Sequence, residues 1–195
     1  MLNFMPFTFK QLNIPDVVLV QPKSFPDDRG FFFESFKESE FLSGGIDKKF
    51  VQDNFSHSIR GVIRGLHFQK TPKAQAKLVS VLKGEIFDAV VDIRKNSPTY
   101  GKWVSEILSE NNHKLLYMPE GFAHGFCVLS EEADVLYKVS NEYSPEHEHG
   151  IIWNDPKLNI DWPISKPIIS SNDSKLPLFE NLENYIVKLF FNTIC

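Results

Sequence analysis

The sequence predicts an all-β protein, an antiparallel jelly-roll barrel with short peripheral helices, on three observations. Between Phe50 and Val139 short runs rich in β-branched and aromatic residues follow one another. Each is closed by a segment rich in Pro, Gly, Asn, Glu or Ser. No helical periodicity intervenes, which argues against alternating strands and helices around a parallel sheet. Finally, 18 phenylalanines against three methionines supply the stiff aromatic groups that suit a sheet interior.

Taken in order, DVVLVQP is a β-branched strand closed by Pro22. SFPDDRG has turn composition and leads into FFFESF, a second strand. From Lys37 to Lys49 strand alternation is lost, and Gly44 and Gly45 limit any helix there, so a short helix or irregular crossover is expected. The strand candidates that follow are IRGVIRGLHF, AKLVSVL, EIFDAVVDI, KWVSEIL, KLLYM, HGFCVL and ADVLYKV. After Tyr143 the chain turns Pro- and Asn-rich, which predicts a segment (about 144–195) that wraps the barrel. The tail LFENLENYIVKLFFN has apolar spacing compatible with a short helix. The 195 residues are expected to form one domain, 1–195, with an N-terminal strand extension.

A net charge of −4 with scattered Lys and Arg leaves no basic block for nucleic acid. No apolar run approaches the length of a membrane span and no signal-like segment opens the chain, so a cytoplasmic protein without membrane contact is expected. Cys127, in an apolar run, and Cys195 do not read as a disulfide framework.

Several polar residues stand in apolar surroundings. In RGVIRGLHFQ, strict alternation places Arg64 and His67 on opposite faces, so both reach one pocket only if the strand is irregular, with a bulge near Gly65. Alone, His67 reads as a hydrogen-bonded structural histidine, a base or a ligand. In ADVLYKVSNEY, Tyr137 shares a face with Val135 and Val139 and is expected inside the fold, while Tyr143 is near enough to line a pocket mouth. Lys77 lies on a short strand, where burial is costly unless an anion is near. Asp92 and Arg94 are spaced for a structural ion pair. His124 in PEGFAHGF reads as a ligand contact or core support. Arg29 and Glu34 in DDRGFFFESF suit either a phosphate and a base ring or a rim ion pair. Metal-ligand spacing is lacking, since the one H-x-H pair, His147 and His149, falls in a charged loop. Phosphate-cradling glycine loops and G-x-S-x-G elbows are also missing.

The blocks FPDDRGFFFESF, FVQDNFSHSIRGVIRGLHFQ, AKLVSVLKGEIFDAVVDIRKNSPTYGKW, LLYMPEGFAHGFCVLSEEADVLYK, GIIWNDP, DWP and ISSNDSKLP, in this order, resemble the dTDP-4-dehydrorhamnose 3,5-epimerase family. These are cupin-type jelly-roll enzymes of rhamnose precursor synthesis, and the resemblance runs from about Asp16 to Leu178. It implies a cofactor-free, metal-free isomerase acting on a dTDP-linked 4-keto-6-deoxyhexose. It further implies His67 as base, Asp173 as the carboxylate orienting it, Tyr137 as acid and Lys77 as the cation at the C4 ketone. Arg29 and Arg64 resemble diphosphate contacts, with His124 close to them. Gln52, Asn54 and Glu34 resemble residues of the nucleotide or sugar pocket, and Tyr143 an aromatic at the nucleotide site. A homodimer sharing strands across its interface is implied as well. Phe68 departs from the tyrosine common in the family. A relative that inverts only C3 or only C5, and a non-catalytic sugar-binding module, are the alternatives that the sequence leaves open.

Overall fold

The computed structural model describes residues 6–182. The predicted tail helix lies largely outside them. Within the described residues its start is a 3-10 turn, Phe179–Asn181.

The strand content is antiparallel, as expected, but the barrel is not closed. One sheet of six strands has the order β1 (Phe7–Gln11), β2 (Val18–Pro22), β10 (Leu115–Met118), β7 (Lys77–Lys83), β12 (Glu132–Val139), β5 (Gln52–Ile59). A second sheet of five has the order β13 (Glu148–Gly150), β6 (Ile63–Gln69), β11 (Phe122–Val128), β8 (Glu85–Asp92), β9 (Trp103–Ser109). The two sheets remain open, with β1, β5, β13 and β9 as edges. The predicted cupin-type jelly-roll barrel is therefore corrected to two separate sheets. The physical reason lies in the connections. Chain passages β5 to β6, β6 to β7, β7 to β8, β9 to β10, β10 to β11, β11 to β12 and β12 to β13 each move to the other sheet instead of to a hydrogen-bonded neighbour. Alternating strands need one buried face, and two stacked sheets satisfy that need as well as closure does.

The main core lies between the sheets. Val79, Leu116 and Val135 from the first pack with Ile86, Val90, Leu108, Phe122 and Phe126 from the second. A second cluster explains much of the phenylalanine content. Phe41, buried on the short helix α1 (Glu38–Ser43), meets Phe7 and Phe9 edge-on and Phe36 at 4.8 Å. A third cluster covers the outer face of the five-stranded sheet, where Ile151, Leu158 and Phe179 pack on Leu66, Phe68 and Val91. Asp155, itself buried, pins that cover by accepting from the amides of Leu158 and Phe179. Strand β11 is consequently buried along its whole length.

Strands β1, β5 and β13 lie outside the predicted set. In β5 the usual pattern is inverted. Gln52, Asn54, Ser56 and Ser58 turn toward the interior, while Phe55 and Ile59 are exposed, 60% and 56%. The predicted strand FFFESF shortens to β4 (Gly30–Phe32), which pairs with β3 (Phe25–Asp27) in a separate two-stranded hairpin. Among the described residues no helix is long and apolar enough to cross a membrane.

Candidate active site

Strand β6 carries the first element of the site. Its partner β11 pairs His124 with His67 and Phe126 with Arg64, so two residues of β6 stand opposite Gly125. That is a β-bulge at Gly65 and Leu66, where the sequence required an irregularity. Gly65 has φ +118°, and a Cβ there would lie 2.6 Å from both the Gly125 Cα and the His124 carbonyl oxygen. Only glycine fits. The extra residue changes the facing of the strand, and Arg64 and His67 both line a cleft of about 690 Å³ together with Glu148, Ser170 and Asp173. Such a volume falls in the range of small-molecule sites.

Asp173 anchors the histidine. Its Oδ1 lies 2.8 Å from His67 Nε2, and its Oδ2 accepts the Gly65 amide at 3.2 Å. Burial pushes the Asp173 carboxyl upward, but the bonds and charge of His67, the Gly65 amide and Ser170 outweigh it and hold the group below the usual carboxylate range. An ionised Asp173 can only accept, so the His67 Nε2 carries the hydrogen and Nδ1 of the neutral ring keeps the free lone pair.

A smaller adjoining cavity, about 140 Å³, is lined by His67, Lys77, Tyr137, Gln52, Asn54, Tyr143 and Glu148. Register explains the grouping. Tyr137 stands opposite Val79 and Asn54, and Lys77 opposite Val139, so these side chains share the inward face of the six-stranded sheet. Burial raises the Tyr137 phenol, with Arg64 opposing and Glu148 adding to the shift, so the hydroxyl keeps its proton at neutral pH. Lys77 is buried and donates to the His67 carbonyl at 3.3 Å. Desolvation lowers its ammonium to about 8, against the charges of Asp88 and Glu148, which favour the protonated form. Gln52 bridges the Asn54 side chain and the Tyr143 amide, and the Tyr143 hydroxyl donates to Glu148 at 2.6 Å.

The structure thus brings together His67, Asp173, Tyr137, Lys77, Arg64, Gln52, Asn54 and Tyr143 in two adjoining cavities. Three candidates line neither. His124 is buried and bonded to Asp88, with Nε2 at 2.9 Å from Oδ2. Arg29, its side chain 90% exposed, pairs with Asp27 on the β3–β4 hairpin, and Glu34 follows that hairpin. Asp92 and Arg94 form the predicted ion pair at 2.7 Å, outside both cavities. Glu148, which lines both cavities, was hidden in the charged run EHEH, where side-chain direction has no sequence signal. Among the described residues no group of three or more His, Cys, Asp or Glu is placed to hold a metal.

The profile of the dTDP-4-dehydrorhamnose 3,5-epimerase family matches residues 11–181. The chain belongs to that family. The family's enzyme from Shigella flexneri is 52% identical over 174 residues, covering 89% of this chain and 96% of that protein. A crystal structure of the Legionella pneumophila epimerase in complex with dTDP-4-keto-L-rhamnose superposes with a TM-score of 0.88 at 45% identity, covering 92% of this chain and 96% of that one. A 3'-monoepimerase from Streptomyces bikiniensis, in complex with dTDP-quinovose, is also similar, with a TM-score of 0.84 at 30% identity over 90% of each chain. The 3,5-epimerase architecture is therefore shared with an enzyme that inverts one carbon.

Proposed function

We propose that this epimerase inverts C3 and C5 of dTDP-4-dehydro-6-deoxy-D-glucose to give dTDP-4-dehydro-L-rhamnose. The observation that carries the reading is the position of His67, which lines both cavities with one ring nitrogen tied to an ionised carboxylate and a protonated phenol beside it.

The C4 ketone acidifies the C–H bonds at C3 and C5. His67 Nδ1 takes the proton, and the C–H electron pair becomes the enolate whose charge rests on the C4 oxygen. Lys77 supplies the cation for that oxygen, in a dry setting where a fixed charge acts strongly. Asp173 holds the ring tautomer and supports the imidazolium that forms. Inversion needs a proton on the opposite face of the flat enolate. Tyr137 delivers it; the His67 imidazolium then gives its proton to water and the phenolate regains one from water. The same steps repeated at the second carbon complete the reaction. No electrons leave the substrate, so the chemistry requires no redox cofactor.

Arg64, Gln52, Asn54 and Tyr143 are assigned to the nucleotide and sugar, with Arg64 at the diphosphate through its fork of donors. His124, buried on the Asp88 carboxylate and lining neither cavity, is assigned to support of the neighbouring His67 on β6. Arg29 lies on the exposed β3–β4 hairpin with Phe31 and Phe32, and the half-buried Glu34 follows it; neither lines a cavity. We assign them to the site of a second subunit in a homodimer, which also covers the apolar outer side of β5. A buried free thiol at Cys127 suits a reducing, cytoplasmic compartment.

Incubation with dTDP-4-keto-6-deoxy-D-glucose in heavy water tests the reading. Deuterium is expected at both C3 and C5. Label at one carbon alone makes the protein a single-site epimerase, and label at neither, with folded dimeric protein, removes catalysis on this substrate.

A further inference from the structure

Asp88 is fully buried on β8, between β11 and the edge strand β9 of the five-stranded sheet, and no step above uses it. Such a carboxylate needs compensating charge or hydrogen bonds, because its desolvation is costly. Register shows what surrounds it. His124 on β11 stands opposite Val90 on β8, which places Asp88, two residues along, diagonally on the same face. On its other side His124 stands opposite His67 on β6. The interior face thus carries two His–carboxylate pairs in one row, Asp88 with His124 and then His67 with Asp173. Lys77 reaches this row from the other sheet, bonded to the His67 carbonyl.

We propose that Asp88 is a positioning residue of the site, a buried counter-charge that holds the His124 ring and keeps the Lys77 ammonium charged where the substrate carbonyl enters. The assignment of the carbonyl rests on the epimerase reading; the hold on Lys77 does not. The titratable groups set against this charge are His124 from β11, bonded to it, and Lys77 from β7, on which it acts. On β9, Glu106 stands opposite Asp88 but is engaged by Lys114 at 3.2 Å. Of the carboxylates, Asp88 and Glu148 act on Lys77 in the charged direction, and Glu148 is already bonded to the Tyr143 hydroxyl. Asp88 is the one sealed from solvent, where its field is least screened.

The test is Asp88→Asn, which preserves shape and an acceptor for His124. The Lys77 titration is followed by carbon-13 NMR at the lysine Cε, assigned with Lys77→Met. The parent midpoint is expected near 8. In Asp88→Asn it falls by about one unit or more, and the alkaline limb of the deuterium-exchange rate moves down by the same amount. An unchanged midpoint overturns the proposal. A parent that titrates as stated but exchanges no substrate hydrogen overturns the epimerase reading alone. Stability gives a second readout should Asp88→Asn fold poorly. Removing both charges in Asp88→Asn/Lys77→Met is expected to raise the melting temperature, or recover folding, relative to Asp88→Asn. A double variant no better than the single one overturns the pairing.

Discussion

Replacing Gly65 by alanine tests the link between backbone and site. The added Cβ would stand 2.6 Å from the Gly125 Cα and 2.6 Å from the His124 carbonyl oxygen, and both neighbours are backbone of a buried strand. Neither can turn aside as a side-chain tip would. The φ of +118° adds a conformational penalty of about 1–3 kcal/mol for a residue with a Cβ. Overpacking at a filled position adds about 1–3 kcal/mol. A total of roughly 2–6 kcal/mol corresponds to a fall in melting temperature of about 4–24 °C for a chain of this size. The same shift separates β6 from β11 at the bulge, so the Gly65 amide leaves Asp173 and the His67 ring loses its alignment. Turnover is expected to fall by about 10²-fold or more, the worth of a positioned base. Calorimetry and the heavy-water exchange assay read the two effects. A Gly65→Ala variant that melts within a degree or two of the parent and turns over equally would refute the reasoning.

Tyr137→Phe is expected to retain dTDP binding and much of the deprotonation at C3 while losing inversion, read as hydrogen exchange without epimerised product. Equal steady-state turnover would remove Tyr137 from its role. Asp173→Asn should reduce kcat by roughly 10²–10⁴-fold with KM little changed, measured by coupled product assay. The folded Asp173 carboxyl titrates below its unfolded range, so its stabilisation is present above that range and disappears as pH falls through the folded value. Acid unfolding of Asp173→Asn should accordingly be less steep than that of the parent over that interval. Arg29→Ala should raise KM for the nucleotide sugar while leaving the melting temperature within error. The same change in a protein that sedimentation shows to be monomeric and fully active would refute the trans assignment.

The strands read correctly from the sequence are those rich in buried apolar residues: β2, β7, β8, β9, β10, β11 and β12 lie close to the predicted runs. Strand β5 escaped because its inward face is polar, built from Gln52 and Asn54 at the site, and its outward face carries Phe55 and Ile59. In β6 the conflict between alternation and a shared pocket pointed to the bulge found at Gly65. Side-chain direction at Glu148 and the bond from His124 to Asp88 had no such signal, since each depends on which strands become neighbours.

Local pattern and the order of the motif blocks together determined the strand content and the family, and singled out His67 and Tyr137 as candidates. Only the tertiary structure decided that the sheets stack open instead of closing, that Asp173 meets His67 across 106 residues of chain, and that Arg29 stays outside its own cleft. Alternation records which face of a strand is buried. It carries no information on which strand lies opposite, because that choice is made by connections and packing far apart in sequence.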